Sequence, residues 1–288
     1  MHYTLKELKI LRSNCTSVFQ NLALEEYLVK NSSEDILLFY INRDAIVLGK
    51  HQNPWLEVNI ELASINKISI ARRLSGGGTV FHDLGNINFS FIRNKDSDFV
   101  NFREHIEPIS AALKSMGIEN LISPRNDIFI GDCKVSGNAE HVNNTSKRII
   151  HHGTLLYSAN ISNLSANTKP IPLNIKTHAV ASVRSKVRNI KEVKSLGTPI
   201  DFLDLLTIEL GKIINVSESE FVSPENISEV QELVKSKYTQ WDWNFGHTPQ
   251  FEFIDDSNIK YKIRKGHVIA CDDFRKLNLR FDKILKLK

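Results

Sequence analysis

Two arginines followed by three consecutive glycines form the stretch of this sequence most suited to binding an anion. The segment runs from Arg72 to Asn86 and reads RRLSGGGTVFHDLGN. Glycine has no Cβ, so a ligand can approach the main-chain N–H groups, which in such turns form a concave anion site. A neighbouring arginine adds a planar fork of donors. The segment predicts a phosphate or nucleotide cradle, and the alternative is a glycine-rich turn with a solvated basic flank.

Lys134 is the side chain most suited to stabilising charge on a group that is being transferred. It lies on a predicted strand within GDCKVSGNA, residues 131–139, where small neighbours leave room for a ligand. A partly buried ammonium acts more strongly than a solvated one, although a solvated strand lysine is the plainer alternative. Adjacent strand residues face opposite sides, so we expect Cys133 to be an inert core cysteine rather than a nucleophile.

Three more polar positions could take part in chemistry. Asp127 directly precedes a predicted strand, where its carboxylate could hold Mg²⁺ beside phosphates. His151 and His152 lie on another predicted strand, so only one of them can face a pocket while the other packs or forms hydrogen bonds. This pair is weak evidence for a metal site, because no further ligands follow at a suitable spacing.

The composition is that of a globular protein in a reducing compartment. Of the 288 residues, 41% are hydrophobic and 24% charged, and the three cysteines lie far apart. The net charge of +4 suits an anionic ligand but is too small and dispersed to indicate nucleic acid. No apolar run approaches the roughly 20 residues that cross a bilayer, and no signal peptide is evident. We therefore expect a cytoplasmic protein that binds neither membranes nor nucleic acid.

Hydrophobic periodicity predicts a mixture of helices and strands. Strands are predicted at 4–12, 36–41, 45–48, 68–71, 87–92, 128–130, 134–139, 149–158, 250–254, 260–264 and 268–271. Helices are predicted at 17–30, 57–66, 99–116, 201–215 and 224–237, with Pro108 bending or starting the third and Gly117 ending it. The alternation in 87–92 indicates a half-buried strand.

Two hairpins, a long loop and a domain boundary complete the predicted organisation. The runs 36–41 and 45–48 predict one β-hairpin, and 128–139 predicts another. The polar stretch 160–198 predicts a long, mobile loop with one or two helical turns, of the kind that forms lids. A change of texture near 236–247 indicates a boundary, after which only a small core is possible.

Taken together, these segments resemble the lipoate–protein ligase A family. The matching stretches, in order, are NLALEEYL, GKHQNPW, RRLSGGGTVFHDLGN, RNDIFIGDCKVSGNA, HHGTLL, SVRSKVRN and WDWNFGHTP. The resemblance extends to about residue 255. It implies an α+β fold with a biotin/lipoyl ligase-type mixed β-sheet flanked by helices in a catalytic domain at 1–240. It also implies a C-terminal accessory α+β domain at 241–288, shorter than is usual in the family.

The resemblance implies a two-step ligation. Lipoate and ATP with Mg²⁺ give lipoyl-AMP and pyrophosphate, and a lysine amine of an acceptor protein then attacks the adenylate to form a carbon–nitrogen bond. ATP with Mg²⁺ is the implied co-substrate and lipoate the substrate, with no prosthetic group. The implied acceptors are lipoyl domains of the E2 subunits of 2-oxoacid dehydrogenases and the glycine-cleavage H protein. We expect the enzyme to be a monomer.

The resemblance also assigns nucleotide-binding residues. ATP would be held by Arg73 and by the backbone of the glycine loop at Gly78, Thr79, Val80 and Phe81. Lys134 would contact both the phosphate and the acyl oxygen, and would stabilise charge in both steps without being modified. Asp127 matches the position that serves Mg²⁺.

The resemblance also implies which residues bind lipoate and which segment closes over the site. Gly77 and His152, together with Lys134, are the expected lipoate-binding residues. The dithiolane carries no charge, so we expect it to be recognised by shape and burial. Because the adenylate is labile in water, a lid should close over it, and residues 160–186 are the candidate, with Ser182 and Arg184 as contacts.

Related proteins with the same fold carry out other reactions. Octanoyltransferases with a cysteine nucleophile carry it before the strand that leads to the lysine motif, and the segment ENLISP at 119–124 has none. A lipoyl or octanoyl transferase that uses a preformed activated donor, without ATP activation, remains the alternative. A non-enzymatic carrier is disfavoured because Arg73, Asp127 and Lys134 are all retained.

Overall fold

The computed structural model describes residues 7–95 and 101–286. The strands are β1 Leu8–Ser13, β2 Ile36–Ile41, β3 Ala45–Leu48, β4 Ser69–Arg72, β5 Val80–His82, β6 Asn86–Asn94, β7 Leu121–Ile122, β8 Ile128–Ile130, β9 Cys133–Ser136, β10 Asn138–Asn143, β11 Arg148–Leu156, β12 Ile175–Thr177, β13 Val216–Val222, β14 Phe251–Ile254, β15 Lys260–Arg264 and β16 His267–Cys271. The α-helices are α1 Val18–Asn31, α2 Pro54–Glu57, α3 Ile60–Ile65, α4 Phe102–Ser115, α5 Ile161–Asn167, α6 Pro199–Ile213, α7 Ser228–Leu233 and α8 Phe281–Lys286.

The chain divides into two compact units, each assembled from three separate stretches. The first unit comprises Met1–Asp44, His82–Ile161 and Arg184–Glu232. The second comprises Ala45–Phe81, Ser162–Val183 and Leu233–Lys288. The division predicted from the sequence, a catalytic domain at 1–240 and an accessory domain at 241–288, concerns function and stays a prediction.

A six-stranded mixed sheet forms the centre of the first unit. Its strand order is β10-β11-β6-β2-β1-β13, with β1 parallel to β2 and β13 and the remaining pairs antiparallel. Helix α1 packs on β6 and β11, and helix α6 packs on β6 and on α4. The prediction of a mixed sheet flanked by helices is therefore confirmed. A small antiparallel sheet, β7-β8-β9, belongs to the same unit.

Strand β6 shows why the sheet needs helices on both faces. Phe89 and Phe91 belong to the main hydrophobic core, together with residues of α4 and α6. Asn88 and Ser90 point to the other face, yet both are also buried. The prediction of a half-buried strand was wrong, because α1 covers the face that alternation alone assigns to solvent.

Helix α4 ends as its sequence indicates. Gly117 follows the helix with a φ of +72°, and its N–H donates to the carbonyl of Lys114. Pro108 lies inside the helix and does not start it. Of the predicted helix 99–116, residues 99–100 lie outside the described part of the chain, as do residues 4–6 of the predicted first strand.

The predicted hairpin between 36–41 and 45–48 was wrong. Both strands exist, but β2 pairs with β1 and β6, whereas β3 pairs in parallel with β4. The linking residues do not form a tight turn. Asn42 is buried and accepts a hydrogen bond from Asn21, and the Arg43 N–H donates to the carbonyl of Thr16. The second hairpin is confirmed for β8 with β9, but the predicted strand 134–139 is divided between β9 and β10, which belong to different sheets.

The second unit contains two sheets with separate apolar cores. An antiparallel sheet, ordered β12-β14-β15-β16, encloses a cluster in which Trp55 and Phe251 meet the edge of Phe281. A three-stranded sheet, ordered β4-β3-β5, packs on α3 residues. The predicted strands at 250–271 are confirmed. Strand β12 was missed, because 160–198 is polar and this strand pairs only with distant β14. None of the described helices is long and apolar enough to cross a membrane.

Gly85 offers a test of the packing in the first unit. A Cβ at this position would lie 2.1 Å from the carbonyl oxygen of Ser158, and that neighbour is backbone that cannot rotate away. We expect Gly85→Ala to lower the free energy of unfolding by about 1–3 kcal/mol, as overpacking does. The matched control is Gly211→Ala in helix α6, where a Cβ meets nothing within 4 Å. There we expect a gain of about 0.5–1 kcal/mol, since alanine favours the helix. Urea unfolding measures both, and equal effects would contradict the packing.

Candidate active site

The glycine loop of the second unit is held from its carbonyl side by Arg73. The buried guanidinium donates to the carbonyls of Gly76, at 2.5 Å, and Gly78, at 2.8 Å. Its Nε donates to Ser75 Oγ at 2.9 Å. The loop between β4 and β5 therefore has two of its carbonyls fixed by one side chain, which defines the direction in which its N–H groups point.

Ser182 lies against the same loop. Its hydroxyl oxygen accepts from the Thr79 N–H at 2.9 Å and from Gln52 Nε2 at 3.0 Å, while the hydroxyl donates to Glu57. A Cβ at Gly78 would come within 3.1 Å of this hydroxyl oxygen, so the glycine permits the approach. Gln52 and Glu57 were not singled out from the sequence, although Gln52 belongs to the GKHQNPW stretch.

Arg72 has a structural role distinct from that of Arg73. Its fully buried guanidinium donates to the carbonyls of Gly49, Gln52 and Asn244, at 2.8–2.9 Å. Burial, together with the nearby charge of Arg73, lowers the pKa of Arg72 to about 10. Its own carbonyl accepts from the Trp243 indole at 2.7 Å. The basic pair is therefore not a solvated flank, and Arg72 ties the glycine loop to the WDWN segment.

Lys134 lies in the first unit, beside Asp127. Its Nζ is 2.8 Å from Asp127 Oδ1, and the two side chains are only 24% and 13% exposed. A Cβ at Gly137 would lie 3.0 Å from the lysine Nζ, so this glycine leaves room for the ammonium. The alternative of a solvated strand lysine is excluded. Cys133 is buried, as expected, and burial raises the pKa of its thiol.

The backbone before Asp127 is held in an uncommon conformation. Asn126 has a φ of +63°, in the left-handed region that asparagine tolerates better than most residues. Its carbonyl accepts from Asn138 Nδ2 at 2.8 Å, and the Asp127 N–H donates to Ser123 Oγ at 3.2 Å. The carboxylate that meets Lys134 is thus positioned by Asn138 of β10 and by Ser123, which directly follows β7. Sequence reasoning did not identify Asn138, because its partner is a backbone carbonyl twelve residues away.

The two histidines of β11 point to opposite faces, as alternation predicts. His152 Nδ1 lies 3.3 Å from Glu25 of helix α1. Burial alone would raise the pKa of Glu25, but His152, Ser90 and Tyr40 outweigh it and hold that pKa below its usual value. His151 is on the core side, 2.7 Å from Glu140 Oε1, and burial is the main reason that its pKa falls to about 4.

The predicted site residues fall into both units. The first unit holds Lys134, Asp127, His152 and Arg184, whereas Ser182 belongs to the second. The second unit also holds the predicted residues of the glycine loop, which are Arg73, Gly77, Gly78, Thr79, Val80 and Phe81. Arg184 is exposed, while Ser182 is half-buried against the loop.

Comparison with known sequences gives a consistent result. Residues 17–208 match the family model described as the lipoyl protein ligase A/B catalytic domain. The chain is 37% identical over 271 residues to lipoate–protein ligase 1 of Staphylococcus aureus, covering 90% of this chain and 81% of that protein. It is also 37% identical over 270 residues to the lipoate-protein ligase LplJ of Bacillus subtilis, covering 88% and 80%.

Solved structures show the same similarity. P. falciparum LipL1, determined in complex with lipoate, superposes with a TM-score of 0.71 at 26% identity, covering 91% of this chain and 82% of that one. A lipoate-protein ligase A bound with ATP superposes with a TM-score of 0.69 at 25% identity, covering 84% and 100%. The α+β fold expected from the sequence is confirmed by these neighbours.

The buried carboxylate of Glu25 predicts a specific pH dependence of stability. Because the pKa of Glu25 is lowered from 4.5 on folding, its carboxylate stabilises the fold above that pH and loses this contribution as the pH falls below it. We expect Glu25→Gln to lower the free energy of unfolding by about 1–3 kcal/mol at pH 7. The variant should also lose less stability than the wild type as the pH falls. The control, Glu34→Gln, replaces an exposed glutamate of the same unit. Its free energy of unfolding should depend on pH as in the wild type. The measurement is urea unfolding from pH 7 to pH 3. If the free energy of unfolding of Glu25→Gln falls with pH as steeply as that of the wild type, the stabilising role of the Glu25 carboxylate is contradicted.

Proposed function

This chain belongs to the lipoyl protein ligase A/B catalytic-domain family, and we propose on that basis that it is a lipoate–protein ligase. It activates lipoate with ATP and transfers the lipoyl group to a lysine of an acceptor protein. In the first step the lipoate carboxylate attacks the α-phosphorus, and pyrophosphate leaves. In the second step the acceptor amine attacks the lipoyl carbonyl, which forms an amide and releases AMP and a proton.

The observation that carries this proposal is the ion pair of Lys134 with Asp127. Both steps build negative charge on oxygen, first around the α-phosphorus and then on the lipoyl carbonyl. A fixed ammonium of low exposure stabilises such charge in each case, because no water has to reorganise. Asp127 holds Lys134 in place before a substrate arrives, and Gly137 leaves room for its side chain. We therefore assign Lys134 as the residue that contacts the reacting phosphate and acyl oxygens.

The glycine loop is proposed to bind ATP. Arg73 fixes the loop through its carbonyls, which leaves N–H groups for the nucleotide. The loop positions involved are Gly78, Thr79, Val80 and Phe81. The Thr79 N–H already donates to Ser182 in this structure, so Ser182 must give up that bond before a nucleotide can take it. This supports Ser182 as a lid contact, and we propose Arg184 as a second one.

We propose that Gly77, His152 and Lys134 bind lipoate. Mg²⁺ commonly takes one or two carboxylates and fills its remaining positions with phosphates and water. Asp127 offers one such carboxylate, largely shielded from solvent, and its partner is a cation rather than a second carboxylate. This fits an ion held mainly by the phosphates of ATP, whose charge it would partly neutralise.

The proposed function also requires acceptor proteins and a cell compartment in which the enzyme meets them. We propose lipoyl domains as acceptors, namely those of E2 subunits of 2-oxoacid dehydrogenases and the glycine-cleavage H protein. We further propose that the enzyme acts as a monomer in the cytoplasm. The three cysteines are free thiols, which fits a reducing compartment.

The transferase alternative is less well supported. An acyl-enzyme mechanism needs a reactive thiolate, and burial raises the pKa of the Cys133 thiol. Residues 119–124 offer no cysteine either. Transfer from a preformed adenylate would need no cysteine, but the relatives above are named lipoate–protein ligases, which favours activation by this chain.

Replacing Lys134 tests the proposal directly. We expect Lys134→Ala to slow lipoylation of an E2 lipoyl domain by about 10²–10³-fold or more, since the fixed charge serves both steps. The mass of the acceptor is followed over time with lipoate, ATP and Mg²⁺. The matched control is Lys9→Ala on β1, which removes another ion-paired strand lysine of the same unit, 2.8 Å from Glu220. Wild-type rates in Lys134→Ala would refute the role given to this lysine.

Cys133→Ser separates the ligase from a thiol-dependent transferase. The cysteine is buried next to Lys134 on β9, so we expect the variant to keep its lipoylation rate within about twofold, with at most a small loss of stability. Mass spectrometry of the enzyme after incubation with lipoate and ATP should detect no acyl thioester. A large loss of rate together with a trapped thioester in the wild type would support the transferase instead.

A further inference from the structure

Three buried side chains on the core side of the main sheet converge on one carboxylate oxygen. His105 of α4 and His151 of β11 place their Nδ1 atoms 3.2 and 2.7 Å from Oε1 of Glu140 on β10. The three side chains are only 5%, 0% and 3% exposed, respectively. Glu140 and His151 are direct partners across the β10–β11 ladder, so their approach is set by strand register. Neither step of the proposed ligation uses this cluster.

Both ring nitrogens of His151 lie within hydrogen-bonding distance of an oxygen atom, Nδ1 at 2.7 Å from Glu140 Oε1. Its Nε2 lies 3.2 Å from Oδ1 of Asn138. The orientation of that amide is fixed, because its Nδ2 donates to the Asn126 carbonyl at 2.8 Å. Both ring nitrogens of His151 therefore face acceptors. A neutral imidazole has only one N–H, so one of its nitrogens would point a lone pair at an oxygen.

Burial makes a second proton a poor solution. The side chain of His151 is fully buried, so adding a second proton would place a charge where water cannot solvate it. The Glu140 side chain is 3% exposed, and its Oε1 lies between the Nδ1 atoms of the two histidines. Neutral imidazoles and a carboxylate are the protonation states in which these side chains bind metal ions.

The second carboxylate oxygen of Glu140 could also bind a metal ion. Its Oε2 is buried and meets no hydrogen-bond donor in the part of the chain that the structure describes. Each of the three residues offers one ligand atom, and these three atoms all lie within 4.8 Å of one another. Ligands at zinc distances around a tetrahedron are about 3.3 Å apart, close to the 2.7 and 3.2 Å observed.

We propose that His105, Glu140 and His151 bind one zinc ion, which fastens helix α4 to strands β10 and β11. Two histidines and one glutamate are a known zinc ligand set, in which a water takes the fourth position, and the ion would replace a proton at Nδ1 of His151. The Nε2–H of His151 then donates to Asn138, as metal-bound histidines commonly donate to an oxygen acceptor. The ion has a structural role, because the cluster lies on the face of β11 opposite to His152.

Metal binding is measured on the tag-free, metal-stripped full chain without ATP or lipoate. Titration with Zn²⁺ alone should give one ion per chain and a higher melting temperature, and Co²⁺ should give the visible bands of a tetrahedral site. Glu140→Gln and His151→Gln should weaken Zn²⁺ by more than about 100-fold, and Asn138→Ala by about 10–100-fold. The matched control, His141→Gln, removes the next residue of β10, which faces the other side of the strand, and should bind as the wild type.

Three outcomes would overturn the zinc site. One is a folded wild type, verified by circular dichroism, that binds no Zn²⁺ at micromolar concentration. Another is unchanged affinity in both Glu140→Gln and His151→Gln. The third is a metal-free His151 that nuclear magnetic resonance shows doubly protonated at pH 7 and that stays so when Zn²⁺ is added. Because the wild-type cobalt spectrum needs no variant, a variant that fails to fold leaves the test intact. Lipoylation plays no part in these readouts, so their failure is distinct from failure of the ligase proposal.

Discussion

The ion pair between Lys134 and Asp127 is the interaction on which the proposed chemistry of the first unit depends. A lysine ammonium with this little exposure is costly to hold in place without a counter-charge, and the carboxylate at 2.8 Å supplies one. The surrounding structure serves this pair. Gly137 leaves room for the side chain, while Asn138 holds the left-handed Asn126 and thereby fixes the residue that follows it. Replacing any of these neighbours would disturb the position of the charge without removing it.

The second unit solves a different problem, which is to hold a glycine-rich loop in one shape. Because glycine has no Cβ, a ligand can approach its backbone closely, but the backbone is also more flexible. The loop therefore needs restraints from other residues. Two adjacent arginines provide them in different ways. Arg73 binds the carbonyls of the loop itself, and Arg72 binds carbonyls of two other segments from within the interior. Ser182, from a distant part of the chain, holds the N–H of Thr79.

Much of this arrangement could be predicted from the sequence, and the failures have physical causes. Periodicity located most strands, and the motif around Lys134 indicated a charged site, because both signals are local. The pairing of β2 and β3 was mispredicted, since buried Asn42 replaces a turn with long-range hydrogen bonds. Strand β12 was missed because its partner lies about 75 residues away and gives it no local pattern. The Ser182–Glu57 contact spans 125 residues, so no spacing rule reveals it.

Lipoate-dependent exchange of labelled pyrophosphate into ATP tests the central claim most directly, because only an enzyme that forms the acyl adenylate itself can catalyse it. Purified chain is incubated with ATP, Mg²⁺ and labelled pyrophosphate, with and without lipoate and in the absence of any acceptor. Label should enter ATP only when lipoate is present. Absence of exchange, in a preparation that still lipoylates an acceptor from synthetic lipoyl-AMP, would contradict the ligase and identify a transferase.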